Sequence, residues 1–502
     1  MTISERKTGT NTGDAGLLVE PGGDRRAELG PELLVEPGGG RRRTQLEDRL
    51  RELVRDGTLA AGTRLPSSRA LAEDLRVSRR LVVEAYAQLV AEGYLLARHG
   101  DGTYVAATAA ARAPASAPPA TPAARFDFFP GAPDLASFPR ALWLRTLREV
   151  LRSTPATALA YPDVRGAIEL RSALAAHLRR VRGVVAEPDS IVVCAGATQG
   201  VALLARALTH LGVGAIAVED PCLPPHRAVL EYAGLAVQSV PVDAHGLRVG
   251  GLRAPAVLAT PAHQFPTGVA LSPPRRAALL AWARGGRLVI EDDYDADFRY
   301  DRAPLGALQG LAPEHVVYLG TASKTLAPGL RLGWLVLPAR LIDAVVQAKL
   351  LDDLGCPTLD QLTLARLIDT AAYDRELRKA RRRNRARRDA LLAALAKHLP
   401  EAQPSGISAG LHAVVALPRP VDAQRLCAAA AARSLGVYPL SFHLREPRPD
   451  TGALVMGYAG LSEAAIDEGV RLLASVLDEI HHRGPTMTTP TVSAAAAQRG
   501  SR

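Results

Sequence analysis

The chain has 502 residues, 47% hydrophobic and 22% charged, with a formal net charge of +10. That length exceeds one ordinary domain, and the composition excludes a fibrous or wholly disordered chain in favour of soluble globular units with more than one core. No run of about 18 apolar residues predicts a membrane span, no secretory signal pattern opens the chain, and four scattered cysteines form neither metal spacing nor a disulfide framework, which predicts a reducing cytoplasm and no metal site.

Residues 1–40, rich in Gly, Thr and charge, read as a disordered extension in which LLVEPGG occurs twice, at 17–23 and 33–39. Residues 41–105 read as a compact helical domain. Leu46, Leu50, Leu53 and Val54 share one face of a first helix that Gly57 stops. Ser67 can cap a second helix with Leu71 and Leu75 turned inward. A tight turn over 76–78 leads to a third helix over 79–92, with an inward stripe of Val82, Tyr86, Leu89 and Val90. Two short strands, 94–98 and 103–105, flank His99-Gly100-Asp101-Gly102, which supplies the positive φ values of a hairpin.

Two helices at a tight turn followed by a hairpin match a winged helix-turn-helix. Arg79, Arg80, Glu84 and Gln88 stand on the outer side of the third helix. Arginine forks onto guanine edges or phosphates and Gln88 can read adenine, while Ser78 in the turn and Arg69 near the start of the second helix suit phosphate contacts. Gly100 and Gly102, lacking a Cβ, let the wing tip approach the backbone closely. The domain's own charge is modest, 12 arginines against 9 acidic residues. The phrases GTRLPSSRALA (62–72) and LVAEGYL (89–95) resemble the winged-helix domain of the GntR family of bacterial repressors over about 65 residues. That resemblance implies a double-stranded DNA operator as partner.

Residues 106–124 form an Ala/Pro linker. Residues 125–481 alternate β-branched runs (190–194, 215–219, 256–260, 287–291, 316–319) with helical patterns, which predicts an α/β fold built of βαβ units around a mainly parallel sheet. The Thr/Ser/Ala-rich tail over 482–502 reads as disordered. Nine of the fourteen residues over 375–388 are basic, which suits one long helix with a solvated basic face.

Within this body the run GTASKTLAPGLRLGW (320–334) places Lys324, one of only five lysines, in a polar turn seven residues before Arg331. The pair suits an amine that forms a Schiff base with an aldehyde cofactor and a cation that holds the cofactor's phosphate. Asp292 ends an apolar strand, where it can pair with a protonated pyridine nitrogen, and Tyr294 two residues on can hydrogen-bond a ring oxygen. Gly196-Ala197-Thr198-Gln199 follows another strand and opens a helix, exposing amides at a helix N-terminus, a phosphate site. The loop 260–268 adds polar side chains, His263 among them, able to contact the ring oxygen.

Together these motifs resemble fold-type I enzymes dependent on pyridoxal 5′-phosphate (PLP), of the aspartate aminotransferase type, with a smaller C-terminal α/β subdomain. HQFPTG, EDDYDADFRY and SKTLAPGLRLGW, joined to the GntR-like head, are similar to the MocR/GabR-type transcriptional regulators. The resemblance implies that Lys324 is the Schiff-base lysine, Asp292 the partner of the pyridine nitrogen and Tyr294 a ring-oxygen ligand. It implies a phosphate held by Arg331, Ser323, Thr321 and the 196–199 amides. Leu223 stands where the family often has an aromatic to stack on the ring, and the stretches 436–443 and 454–458 lack an arginine for a substrate carboxylate, with only Arg433 and Arg445 flanking the first. The expected function is a PLP-dependent, DNA-binding regulator that senses PLP or a small amine or amino-acid effector. It is expected to act as a homodimer on paired half-sites, its aminotransferase body serving for sensing. The alternative is a working aminotransferase with an accessory head.

Overall fold

The computed structural model describes residues 42–107, 124–418, 421–446 and 452–482. The expected extension over 1–40, nearly all of the linker and the tail past 482 lie outside the described residues. The chain divides into two units, Met1–Thr121 and Pro122–Arg502.

In the first unit, α1 (Arg42–Arg55), α2 (Ser68–Asp74) and α3 (Arg79–Ala91) precede a hairpin of β1 (Leu95–Arg98) and β2 (Gly102–Val105). Leu46, Leu50 and Leu53 fall at helical spacing and meet Leu71, Val82, Tyr86, Leu89, Leu95 and Val105 in one core. Ser67 and Ser78 each occupy an N-cap, their Oγ atoms accepting from the N–H groups of Ala70 at 3.2 Å and Leu81 at 3.3 Å. The α2–α3 turn is tightened by Arg76 at φ 50°, and the hairpin tip by Gly100 at φ 77°, with Leu95 opposite Val105 in an antiparallel register.

In the second unit, β3 (Phe126–Asp127) comes first and a large sheet follows. Its strands are β4 (Ile191–Cys194), β5 (Ala215–Asp220), β6 (Ala236–Asp243), β7 (Gly246–Leu247), β8 (Ala256–Ala259), β9 (Leu288–Asp292), β10 (Val316–Thr321) and β11 (Gly333–Val336). Their order is β4-β11-β10-β9-β8-β5-β6-β7, parallel from β10 to β6, with β11 antiparallel to both neighbours and β7 antiparallel to β6. The strands β4, β8, β9 and β11 are buried along their whole length, as a sheet covered on both faces requires.

The two-residue period decides which face each side chain takes. Val192, Cys194, Leu258, Ile290 and Leu319 pack under the helices Ala197–His210 and Ala339–Asp353. Val257, Val289 and Val316 pack under the helix Pro273–Arg284, and Ile191, Val193 and Trp334 under the helix Ile168–Arg182. Continuing β9 by this rule sends Asp292 to the side of the helix Ala197–His210 and Asp293 to the opposite side.

The smaller C-terminal layer has the antiparallel sheet β12 (Gln403–Ser405), β13 (His412–Ala416) and β15 (Ala453–Gly457), and β14 (Leu435–Gly436) pairs in parallel with β3. The basic run lies in a single helix, Ala372–His398. Its face is only partly solvated: Arg383 and Arg387 meet Asp134 at 3.0 and 2.9 Å, and Arg381 donates to the Asp297 carbonyl.

Candidate functional site

Lys324 lies in the turn between β10 and β11, where its Nζ donates to the Gly131 carbonyl at 2.7 Å. A Cβ on Gly131 would stand 3.3 Å from that nitrogen and crowd it, and the φ of 78° there itself favours glycine. Burial pushes the Lys324 pKa down, against the opposing pull of Asp295 and Asp292. The net shift is toward the neutral, nucleophilic form.

Asp292 and Asp293 are neighbours with different fates. Asp293 is paired through Oδ2, which accepts from Arg182 Nε and the Tyr318 hydroxyl, each at 2.7 Å, although its Oδ1, like that of Asp292, has no hydrogen-bond partner among the described residues. Asp292 is buried, and its Oδ1 has no hydrogen-bond partner among the described residues. Burial, reinforced by Asp293, pushes its pKa up to about 8. Its nearest cationic candidate is His226, with Nδ1 3.6 Å from Oδ2. That imidazole is itself driven down to about 4 by burial and by Lys324, so at neutral pH both groups favour their uncharged forms. An unpartnered buried carboxyl normally costs stability and calls for a ligand or a special role.

The turn after β4 forms a cup. Gly196, at φ 84°, is the N-cap of the helix Ala197–His210 and supplies no side-chain cap, which leaves the first-turn amides of Ala197, Thr198 and Gln199 for an anion. The Arg331 guanidinium bonds the Ala195 carbonyl and overlies Gly196, where a Cβ would fall 2.9 Å from its terminal nitrogen. Arg331, itself at φ 51°, is exposed at the cup's edge. Thr321 Oγ1 stands 2.8 Å from Ser323 Oγ and accepts from the Ser323 N–H at 3.1 Å, which ties both hydroxyls into the lysine-bearing turn. Gln199 offers only its amide, because its side chain is spent on Ala195, Asp352 and Asp353.

Tyr294 and His263 come together, hydroxyl to Nδ1 at 3.1 Å, and the same Nδ1 meets the Asp295 carboxylate at 2.9 Å. Burial holds Tyr294 well above the usual phenol pKa, so it remains a donor. Leu223 caps the helix Pro224–Tyr232, which carries His226. Arg433 pairs with Glu479 and Ser475, and Arg445 with Glu231 and the Val237 carbonyl. Sequence reasoning missed His226, Asp295 and Gly131. Asp295 lies inside the EDDYDADFRY phrase and was within reach; His226 and Gly131 carry no local signal.

In the first unit, Arg69 and Arg79 are exposed with no partner among the described residues. Arg80 pairs with Glu84 at 2.8 Å, and Gln88 donates to Glu92 at 2.7 Å, which Arg51 also grips. The Ser78 hydroxyl is occupied as the α3 cap. Gly100 and Gly102 sit at the exposed wing tip, and the Arg98 guanidinium stacks 4.7 Å from the Tyr104 ring, a cationic wing that the sequence reading overlooked.

Residues 137–473 match the aminotransferase class I and II family, which is PLP-dependent, and residues 42–105 match the gntR family of bacterial regulatory proteins. The chain is 36% identical to the HTH-type pyridoxine biosynthesis transcriptional regulator PdxR of Corynebacterium glutamicum, over 84% of this chain and 92% of that one. It is 32% identical to the probable rhizopine catabolism regulatory protein MocR of Rhizobium meliloti, over 91% and 97%. Among solved structures, it is similar to an archaeal alanine:glyoxylate aminotransferase (TM-score 0.65, 27% identity, 70% of this chain and 91% of that one). It is also similar to LysN, the alpha-aminoadipate aminotransferase of Thermus thermophilus (TM-score 0.64, 26% identity, 71% and 93%). No described helix is long and apolar enough to cross a membrane. The chain thus belongs to the regulator family that joins a gntR-type winged helix, a DNA-binding module, to an aminotransferase class I and II body.

Proposed function

We propose that this chain is a transcriptional regulator that carries PLP on Lys324 and changes its operator binding in response to a small amine or amino acid. The observation that carries the reading is Asp292, a buried carboxyl at a strand end that, unlike Asp293, accepts no hydrogen bond among the described residues, in the same body as a desolvated lysine amine and an uncapped helix N-terminus. Those three groups fit the cofactor's three functions: an acid for the pyridine nitrogen, an amine for the aldehyde and amides for the phosphate. The similar LysN structure is described as holding N-(5′-phosphopyridoxyl)-L-leucine, which supports the assignment.

When bound, PLP supplies an electrophilic carbon that takes up primary amines reversibly and a ring that withdraws electrons from it. Lys324 would supply the amine for the aldehyde, and burial shifts it toward the neutral form. Asp292 would give the pyridine nitrogen a proton or a counter-charge, with His226 packed 3.6 Å from its Oδ2. Arg331, Ser323, Thr321 and the amides of Gly196, Ala197, Thr198 and Gln199 hold the phosphate. Tyr294, oriented by His263 and Asp295, donates toward the ring oxygen. An amine effector bound in place of Lys324 would leave the lysine nitrogen to the Gly131 carbonyl, its acceptor in this structure. Differential contacts in the two states shift the body's conformational balance and, through it, the affinity for DNA.

Arg69, Arg79, Arg80 and Gln88, with the amide end of α3 at Ser78 and the Gly100–Gly102 wing tip, contact the operator. A homodimer is supported by exposed Leu159, Tyr161, Leu351 and Leu354, on two segments that meet where Gly355 packs on Pro162. The test is operator affinity with and without PLP. Because coupling is reciprocal, the factor by which PLP changes operator affinity must equal the factor by which operator changes PLP affinity. Equal operator affinity in both states would reject the sensing role.

A further inference from the structure

Lys349 is one of five lysines in the chain, and its side chain is completely buried. It projects from the helix Ala339–Asp353, and its Nζ donates to both oxygens of Asp353, at 3.0 and 2.8 Å, and lies 3.3 Å from Cys356 Sγ. Burial lowers the lysine's pKa, but the bonds to Asp353 and Cys356 outweigh it and raise the balance above the ordinary value. Burial likewise raises Asp353, and the bonds from Lys349 and Gln199 outweigh that too. Both groups stay charged. An ion pair whose lysine is fully buried and whose aspartate is only part-buried is weak support for stability, since apolar residues in place of a buried charge often serve as well or better, so its retention asks for another account.

The account lies in what Asp353 touches next. Its Oδ2 accepts from Gln199 Nε2 at 2.8 Å, and the other hydrogen of that amide goes to Asp352 at 2.8 Å. Gln199 Oε1 accepts from the Ala195 N–H at 2.6 Å. The Ala195 carbonyl in turn receives the Arg331 guanidinium. An unbroken chain of hydrogen bonds therefore runs from a buried ammonium to the N–H of the residue that opens the cup, whose carbonyl is held separately by Arg331. The turn needs such support: Gly196 sits at φ 84° and has no side chain of its own to hold it.

We propose that Lys349 is a positioning residue for the cofactor's phosphate. By fixing Asp353 it fixes Gln199, and through Gln199 it holds the 195–198 backbone so that the first-turn amides converge on the anion. The inference rests on the reading of that turn as the phosphate cup.

The test compares PLP with pyridoxal, which has the same aldehyde and ring but no phosphate, using the full-length chain and titrating by visible absorbance. Lys349→Met is expected to weaken PLP binding roughly tenfold, the scale of one well-aimed bond to a charged group, and to leave pyridoxal binding within about twofold. Gln199→Leu, which keeps the amides and removes the link, is expected to do the same. The double variant should be no worse than the weaker single, since both break one chain. If Lys349→Met does not fold, Gln199→Leu decides alone. Unchanged PLP affinity, or equal losses for PLP and pyridoxal, would overturn the proposal. A wild-type chain that takes up neither compound would instead reject the underlying cup, and the proposal with it.

Discussion

In the winged helix, Arg69 and Arg79 face solvent without partners among the described residues, and Arg80 has only a surface pair with Glu84. In the body, Arg182 is buried against Asp293 and Arg331 is bonded over the cup. The same side chain thus works in two regimes. Arginines that are exposed and unfixed have their energy screened by salt and tolerate many phosphate arrangements. Arginines fixed by backbone carbonyls are already oriented before a ligand arrives. Operator affinity is therefore expected to fall steeply with salt, while PLP affinity changes little over the same range.

The strongest way to sharpen this contrast is at the cup. Arg331→Ala should weaken PLP binding by about ten- to a hundredfold, the range for a bond to a charged group. It should leave the salt slope of operator binding unchanged. Absorbance titration and fluorescence anisotropy report the two quantities separately.

Next comes Asp292. Its pKa in the folded cofactor-free chain is raised, to about 8. A carboxyl with a raised folded pKa contributes stability that is complete below its unfolded value and lost as pH climbs through the folded one. The apo protein's Tm is therefore expected to fall between about pH 4 and pH 8. Glu219 and Glu291, both pushed up to about 7 chiefly by burial, act in the same direction. Asp292→Asn should flatten the decline in part. A slope identical to wild type in thermal melts would mean that the carboxyl is already partnered.

In the head the effects are smaller. Arg79→Ala should reduce the slope of log K against log salt by about 0.9, one phosphate's worth, whereas Arg80→Ala should reduce it less because Glu84 already offsets its charge. Equal slopes for both variants would remove the distinction between free and paired arginines. Smallest is Ser78→Ala, which removes the α3 cap and should cost the head ~1 kcal/mol in chemical denaturation.

Much of this architecture was legible because its signals are local. Leu46, Leu50 and Leu53 announce a helix by spacing alone, and Ser67 and Ser78 mark helix starts with their own hydroxyls. The Lys324–Arg331 run and Asp292 at a strand end declare a chemistry within a few residues. Strand β6 carries a weak signal because it runs at the half-exposed side of the sheet with Pro241 inside it, and β11 because it is the tail of a motif whose head is a polar turn. His226 meets an acid in β9, and Asp353, held by Lys349, meets Gln199 in the turn after β4; contacts at such separations arise from sheet order, which no residue pattern encodes. The pairs Arg80–Glu84 and Gln88–Glu92 are the converse case. Their four-residue spacing was readable, and it implied that two of the expected DNA contacts are partly engaged within their own helix.

The central claim is that one nitrogen of this chain carries the cofactor. The direct measurement is borohydride reduction of the PLP-loaded protein followed by peptide mass mapping. The account predicts a phosphopyridoxyl group on Lys324 and on no other lysine. A peptide bearing Lys324 unmodified, or the label on Lys349, Lys379 or Lys397 in its place, would contradict it.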